Sequence, residues 1–169
     1  MKNLLFLFLV SIFLYACGTK SKPKTIYIVR HAEKHLTQDR DPELAQVGMF
    51  RSIKLSQILA DKDIKHIYST NYKRTRHTAQ PTSDDTRLPI QIYDPAKQEE
   101  FAELLKGLEG NVLVVGHSNT APRLVNILLG EEGKYPDLED VDYENIYIVS
   151  MDEGGTTSEI KTFKDFSEQ

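Results

Sequence analysis

A single cysteine, Cys17, leaves this 169-residue chain no means of forming an internal disulfide. A basic excess is missing too. The formal net charge is −4 and the isoelectric point about 5.7, which argues against a protein that tracks nucleic-acid phosphates by overall charge. No apolar run is long enough to cross a bilayer: the longest, Leu4 to Ala16, falls short of the roughly 20 residues a spanning helix needs. Internal repeats and low-complexity blocks are absent as well. With 40% hydrophobic and 27% charged residues, the composition is that of an ordinary globular protein, and the length fits one domain around a single core.

What the N-terminus does have is a positive start at Lys2, the short apolar run, and then Leu14-Tyr15-Ala16-Cys17. That pattern is a secretory signal rather than a span. Its end resembles the bacterial lipobox, in which a small residue precedes a cysteine that is lipidated before cleavage, although Tyr15 is bulkier than that pattern usually carries. The only thiol therefore sits where an acylated residue is needed. The expected division is a signal peptide over 1–16, a lipidated Cys17 with a flexible Lys-, Ser- and Thr-containing tether over 17–24, and a folded domain over 25–169. Several acyl chains on Cys17 would anchor the protein stably to a membrane of the cell envelope, on the periplasmic side or in the outer membrane.

Within the domain, apolar and alternating runs predict strands at Thr25–Arg30, Lys65–Thr70, Pro89–Tyr93, Asn111–Val115 and Asn145–Met151, with a weaker one at Glu159–Phe163. Helical spacing places Leu44, Val47, Arg51, Leu55, Ile58 and Leu59 near one face of a helix. A second helix carries Phe101, Leu104, Leu105 and Leu108, and a third covers Pro122 to Leu129. Strand and helix alternate, and the early strands are rich in Ile, Val and Tyr throughout. The expected fold is α/β, a three-layer sandwich with a mostly parallel central sheet and helices on both faces. In such sheets ligands bind beyond the carboxyl ends of the strands.

Those ends carry chemistry. Ile26 to Val29 runs into Arg30-His31-Ala32-Glu33, Ile67 to Thr70 is followed by Arg74, and Val112 to Gly116 runs into His117-Ser118. Two imidazoles and two guanidiniums can thus meet at one sheet edge. An unprotonated imidazole can attack phosphorus, and guanidiniums supply fixed donors to the oxygens. Nearby positive charge also favours the neutral, nucleophilic imidazole.

Three segments in order resemble the histidine phosphatase superfamily, the phosphoglycerate-mutase-like group, from about Thr25 to Val149. Ile28-Val29-Arg30-His31-Ala32-Glu33 is similar to its Arg-His-Gly signature with alanine in the glycine position. Tyr68 to Ala79 is similar to the segment holding its second phosphate arginine, here Arg74. Val115-Gly116-His117-Ser118-Asn119-Thr120 is similar to the segment with its second histidine. The stretch Asp41-Pro42-Glu43-Leu44, then Gly48 and Arg51, looks like its lead into the first long helix. The resemblance implies hydrolysis of a phosphomonoester through a phosphohistidine on His31, with Arg30, Arg74 and His117 holding the phosphoryl group and no metal or organic cofactor. The implied partners are a phosphorylated substrate and, through the lipid anchor, a membrane; nucleic acid is not among them.

The resemblance leaves the proton donor to the departing oxygen unassigned. Ser118 stands where one branch of the family has an aspartate, and Asp94, Glu99 and Glu100 are candidates for the glutamate of the other, in surroundings that do not match its motif. His35, His66 and His77 fall outside the matching positions and are expected on the surface. Lys73 and Arg76 are expected on a solvated face, and Tyr27 and Tyr147 in packing. A phosphomutase is the nearest alternative enzyme, against which the short Pro81–Lys97 stretch and export both argue. A lipoprotein that captures phosphorylated ligands without turnover is the alternative from another class.

Overall fold

The computed structural model describes residues 23–166, so the signal-like run and Cys17 lie outside the described residues. The chain opens with strand β1 (Lys24–Arg30), whose side chains alternate between two buried surfaces. Ile26 and Ile28 join a core with helices α3 (Gln98–Gly107) and α4 (Thr120–Leu129), while Tyr27 and Val29 join another with α1 (Gln46–Leu59) and α2 (Lys73–Thr86). Strand β4 (Asn111–Gly116) divides the same way, Val112 and Val114 to one side and Leu113 and Val115 to the other. Each such aliphatic side chain taken fully out of water contributes about 1.5–3 kcal/mol before the entropy of ordering it is counted.

With β2 (Ile64–Ser69), β3 (Ile90–Ile92), β5 (Asn145–Asp152) and β6 (Gly155–Thr162), the sheet has the order β3-β2-β4-β1-β5-β6. The pairs β1–β4, β2–β4 and β2–β3 are parallel, and β5 and β6 are antiparallel additions on the other side of β1. This is the expected three-layer α/β sandwich with a mostly parallel sheet. Because β1, β2 and β4 run in one direction, Arg30, Ser69 and Gly116 end at the same rim.

Three details differ from the sequence reading. Lys24, expected at the end of a flexible tether, opens β1 and is buried: its Nζ donates to the carbonyls of Leu105, Lys106 and Leu108 at 2.7, 2.6 and 2.7 Å. A cation there neutralises the negative end of α3. Val47, expected on the buried face of α1, is 55% exposed; Leu55, Ile58 and Leu59 are buried as expected, and Gly48, Ser52 and Ser56 complete that face. Helix α2 carries no apolar period and contains Pro81, so spacing alone does not reveal it. Its buried side is Thr75, Thr78, Ala79 and Thr82, with the Thr78 and Thr86 hydroxyls donating back to the carbonyls of Arg74 and Thr82 at 2.8 and 2.6 Å.

Helix α1 is pressed against the turn after β1. Ala45 N donates to the Glu33 carbonyl at 2.9 Å, and Arg51 grips the Glu33 carboxylate through Nε at 2.9 Å and Nη2 at 2.7 Å, with Glu144 on the same Nη2 at 2.9 Å. The approach is so close that a Cβ at Gly48 would overlap the Glu33 carbonyl oxygen. We therefore expect Gly48→Ala to lower the urea midpoint by the equivalent of about 1–3 kcal/mol with an unchanged slope. Gly107→Ala, where a methyl meets open space, should be neutral or stabilising. Equal effects of the two would show that the approach at Gly48 is not tight.

Candidate active site

The rim where β1, β2 and β4 end holds a cavity of about 490 Å³, open to solvent and lined by Arg30, His31, Arg74 and His117 among others. The structure thus brings the four residues singled out in the sequence to one hollow. Local geometry explains how each is placed. His31 leaves β1 with its N–H on the Gly116 carbonyl at 2.9 Å, so the ladder between β1 and β4 continues one residue past the strand. Ala32 N donates to the Thr78 hydroxyl at 2.9 Å, which docks α2 under the same turn. The first turn of α4 lies against His117: the His117 N–H donates to Thr120 Oγ1 at 2.8 Å. Gly116 leaves room for this, since a Cβ there would stand 2.8 Å from that same oxygen.

The tautomer of His31 follows from its partner. Nδ1 lies 2.8 Å from the Ala32 carbonyl oxygen, which only accepts, so Nδ1 carries the proton and Nε2 the lone pair. The ring is 4% exposed. Burial above all, then the nearby His117, Arg30 and Arg74, pushes its pKa from 6.5 down to about 3 against the opposing hydrogen bond to Ala32. His117, whose ring centroid is 5.6 Å from that of His31, is lowered to about 4 by burial and by Arg74 and Arg30, against the opposing charge of Asp41. Its Nε2 is 2.9 Å from Thr70 Oγ1. That hydroxyl donates onward to Thr75 Oγ1 at 3.0 Å, a chain satisfied when Nε2–H is the donor to Thr70.

Each arginine is held by an aromatic ring and by groups of one loop. Arg30, 7% exposed, stacks 4.2 Å from the Tyr143 ring and gives Nη1 to the carbonyls of Glu139, Asp140 and Asp142 at 2.8, 3.3 and 3.3 Å. Arg74 stacks 4.5 Å from Tyr72 and reaches Asp41 at 3.4 Å. On both guanidiniums the Nε–H is buried with no hydrogen-bond partner among the described residues. Two cationic donors thus line one hollow with hydrogen-bonding capacity unspent, which suits an anion with several oxygens.

The carboxyl candidates stand elsewhere. Glu99 pairs with Arg123 at 2.8 Å and Glu100 with Lys97 at 3.3 Å, both in exposed positions. Asp94 turns its carboxylate to the Ala96 N–H at 2.9 Å and lines a neighbouring hollow. The carboxylate lining the main cavity, among the described residues, is Asp140, 3.8 Å from Arg30. Lys34 and Tyr72 also line it, and Tyr143 buttresses Arg30 from behind. Sequence reading named none of these four for the site. Tyr72 lay inside a quoted segment, but Asp140 and Tyr143 come from the loop between α4 and β5, and no local pattern points to them. His35, His66 and His77 are outside the cavity, as expected, and Lys73 faces Glu43 at 3.8 Å. Tyr27 and Tyr147 are buried in packing. Among the described residues no three His, Cys, Asp or Glu side chains come together to hold a metal ion.

A family model of the Histidine phosphatase superfamily (branch 1) matches residues 26–97, a stretch that contains Arg30, His31 and Arg74. The matched stretch is less than half of the chain. The region around His117, which the sequence resemblance also covered, lies beyond the matched residues. No curated protein matches. Among solved structures, the chain is similar to the protein histidine phosphatase SixA complexed with tungstate, with 20% identity over 83% of this chain and 98% of that one and a TM-score of 0.67. It is also similar to phosphoserine phosphatase from Entamoeba histolytica in complex with 3-phosphoglyceric acid (14% identity, 82% and 97% covered, TM-score 0.63). A third is the alpha-ribazole phosphatase from Shigella flexneri (14% identity, 82% and 96% covered, TM-score 0.63). At these identities the likeness is one of fold.

Neutral burial of His31 has a consequence for stability. The unfolded chain takes up a proton on this ring near pH 6.5, whereas the folded chain keeps it neutral down to about 3. Between those values the unfolded state binds more protons, so acidification costs stability, up to about 1.4 kcal/mol per pH unit from this group. Urea midpoints followed from pH 7 to about pH 4 should fall more steeply for the wild type than for His31→Gln. Parallel curves would mean that the ring is not held neutral.

Proposed function

We propose that this protein hydrolyses phosphomonoesters through a phosphohistidine formed on Nε2 of His31. One observation carries the reading. An imidazole nitrogen with a free lone pair lines the same cavity as two arginines whose buried Nε–H groups have no partner. A phosphoryl group seated there would face the nucleophile and take donors from Arg30 and Arg74. In the first step Nε2 attacks phosphorus, the P–N bond forms and the ester P–O bond breaks, and the departing oxygen takes a proton from water at the open mouth to leave as the alcohol. In the second, water entering from the open mouth attacks phosphorus and gives up a proton to the solvent, the P–N bond breaks, and phosphate leaves with His31 neutral again. His117 lies beside His31 at the same cavity. The Tyr143 stack and the three carbonyls on Nη1 keep Arg30 in one orientation, so donors need no rearrangement as charge shifts. The superfamily match over β1 to β3 and the phosphatases sharing the fold support the same reading.

No step calls on a metal ion. Purified protein lacking the apolar N-terminal run should release phosphate from para-nitrophenyl phosphate with a chelator present and should trap an acid-labile phosphoenzyme. His31→Ala should give neither, and Arg74→Met should lower kcat by about 10²–10³, the loss typical of one positioned donor. Activity that survives in His31→Ala, or disappears with the chelator, would refute this mechanism.

Cys17 is proposed to carry the lipid that holds the domain to a membrane of the cell envelope; no helix among the described residues is long and apolar enough to cross one. Cells fed a radiolabelled fatty acid should label the full chain and not Cys17→Ser. An unlabelled product that stays in the cytosol would reject both the anchor and export.

A further inference from the structure

The phosphate cavity continues sideways. It shares Tyr72 and Pro95 with a hollow of about 680 Å³, which in turn shares Ile92, Tyr93 and Asp94 with one of about 280 Å³ against α3. The three form one trough from His31 to the outer edge of the sheet. Its walls mix two kinds of residue. Ile92 is 51% exposed and Leu104 46%, both large apolar side chains left in solvent. Lys97 and Glu100 stand beside them. The trough meets β3 at its last residue, Ile92, and β3 is the first strand in the sheet order, whose outer edge faces no strand among the described residues.

We propose that the substrate is a phosphorylated side chain of a polypeptide, whose flanking residues lie extended in this trough along β3. The inference rests on the phosphate-cleaving reading above and names its substrate class. A small phosphorylated metabolite would fill the end holding His31 and leave the rest of the trough unused. An extended peptide uses all of it: alternate side chains cover Ile92 and Leu104, and its main chain meets the unpaired N–H and C=O groups of β3. A lipid tail fits less well. An acyl chain offers no hydrogen bonds to a strand edge and would take Asp94, Lys97 and Glu100 out of water without replacing their partners.

Peptides of about eleven residues, roughly 35 Å when extended, with one central phosphorylated Ser, Thr, Tyr or His, test this against the isolated phosphoamino acids, para-nitrophenyl phosphate, and alkyl phosphates of rising chain length. The expected result is a kcat/KM for at least one peptide about tenfold or more above that of its phosphoamino acid. That advantage, taken relative to para-nitrophenyl phosphate in the same preparation, should fall about tenfold in Ile92→Ser/Leu104→Ser. Peptides no better than their phosphoamino acids overturn the proposal while leaving the hydrolase intact. So does a rate that climbs with alkyl chain length and not with peptide context. If no ester is hydrolysed, the hydrolase reading falls by itself, and fluorescence anisotropy of the same labelled peptides decides the trough. Phosphate-dependent binding weakened by the double substitution sustains it, and no binding overturns it.

Discussion

The hydrogen bond from His31 Nδ1 to the Ala32 carbonyl, 2.8 Å long, is the contact on which the site turns. It leaves the lone pair on Nε2, and burial beside two arginines keeps that lone pair free of a proton. The backbone supporting it is fixed from three directions: the Gly116 carbonyl on the His31 N–H, the Thr78 hydroxyl on the Ala32 N–H, and the close approach of α1 to Glu33 at Gly48. Strand, helix and neighbouring strand thus agree on one position for one ring. A turn so held fixes the backbone from which the imidazole projects.

The arginines follow a parallel plan. Each lies against a tyrosine, Arg30 on Tyr143 and Arg74 on Tyr72, and each keeps an Nε–H uncommitted. Three carbonyls of the 139–142 segment hold Nη1 of Arg30, so a loop far along the chain orients a residue of the first strand. The protein is acidic overall, yet among the described residues its cavity is lined by Arg30, Lys34 and Arg74 against one carboxylate, Asp140. Local charge rather than net charge therefore decides what the site attracts.

The fold was largely legible because its signals are short-range. Alternating aliphatic residues in β1 and β4 mark strands buried on both faces, and Phe101, Leu105, Leu124 and Leu128 mark helices that cover one of them. Helix α2 was not legible by the same signal. Its buried side is threonine and alanine, and side-chain hydroxyls serve carbonyls of its own backbone, so the pattern that spacing analysis seeks is absent. Lys24 misled for a related reason: a lysine in a polar lead reads as solvated, and only its meeting with the end of α3 makes burial favourable.

By itself, the sequence determined which chemistry could gather at the rim. Arg30 ends a recognisable strand, His31, Arg74 and His117 come after strands, and parallel strands have their carboxyl ends on one edge of the sheet. Tertiary structure alone decided which imidazole nitrogen is free, which rings back the arginines, and that Asp140, not Asp94, Glu99 or Glu100, lines the cavity. Those outcomes depend on contacts between residues scores of positions apart, such as Arg30 with the 139–143 loop. Such contacts leave no periodicity or spacing in the chain, because their energy arises only when packing brings the two segments together.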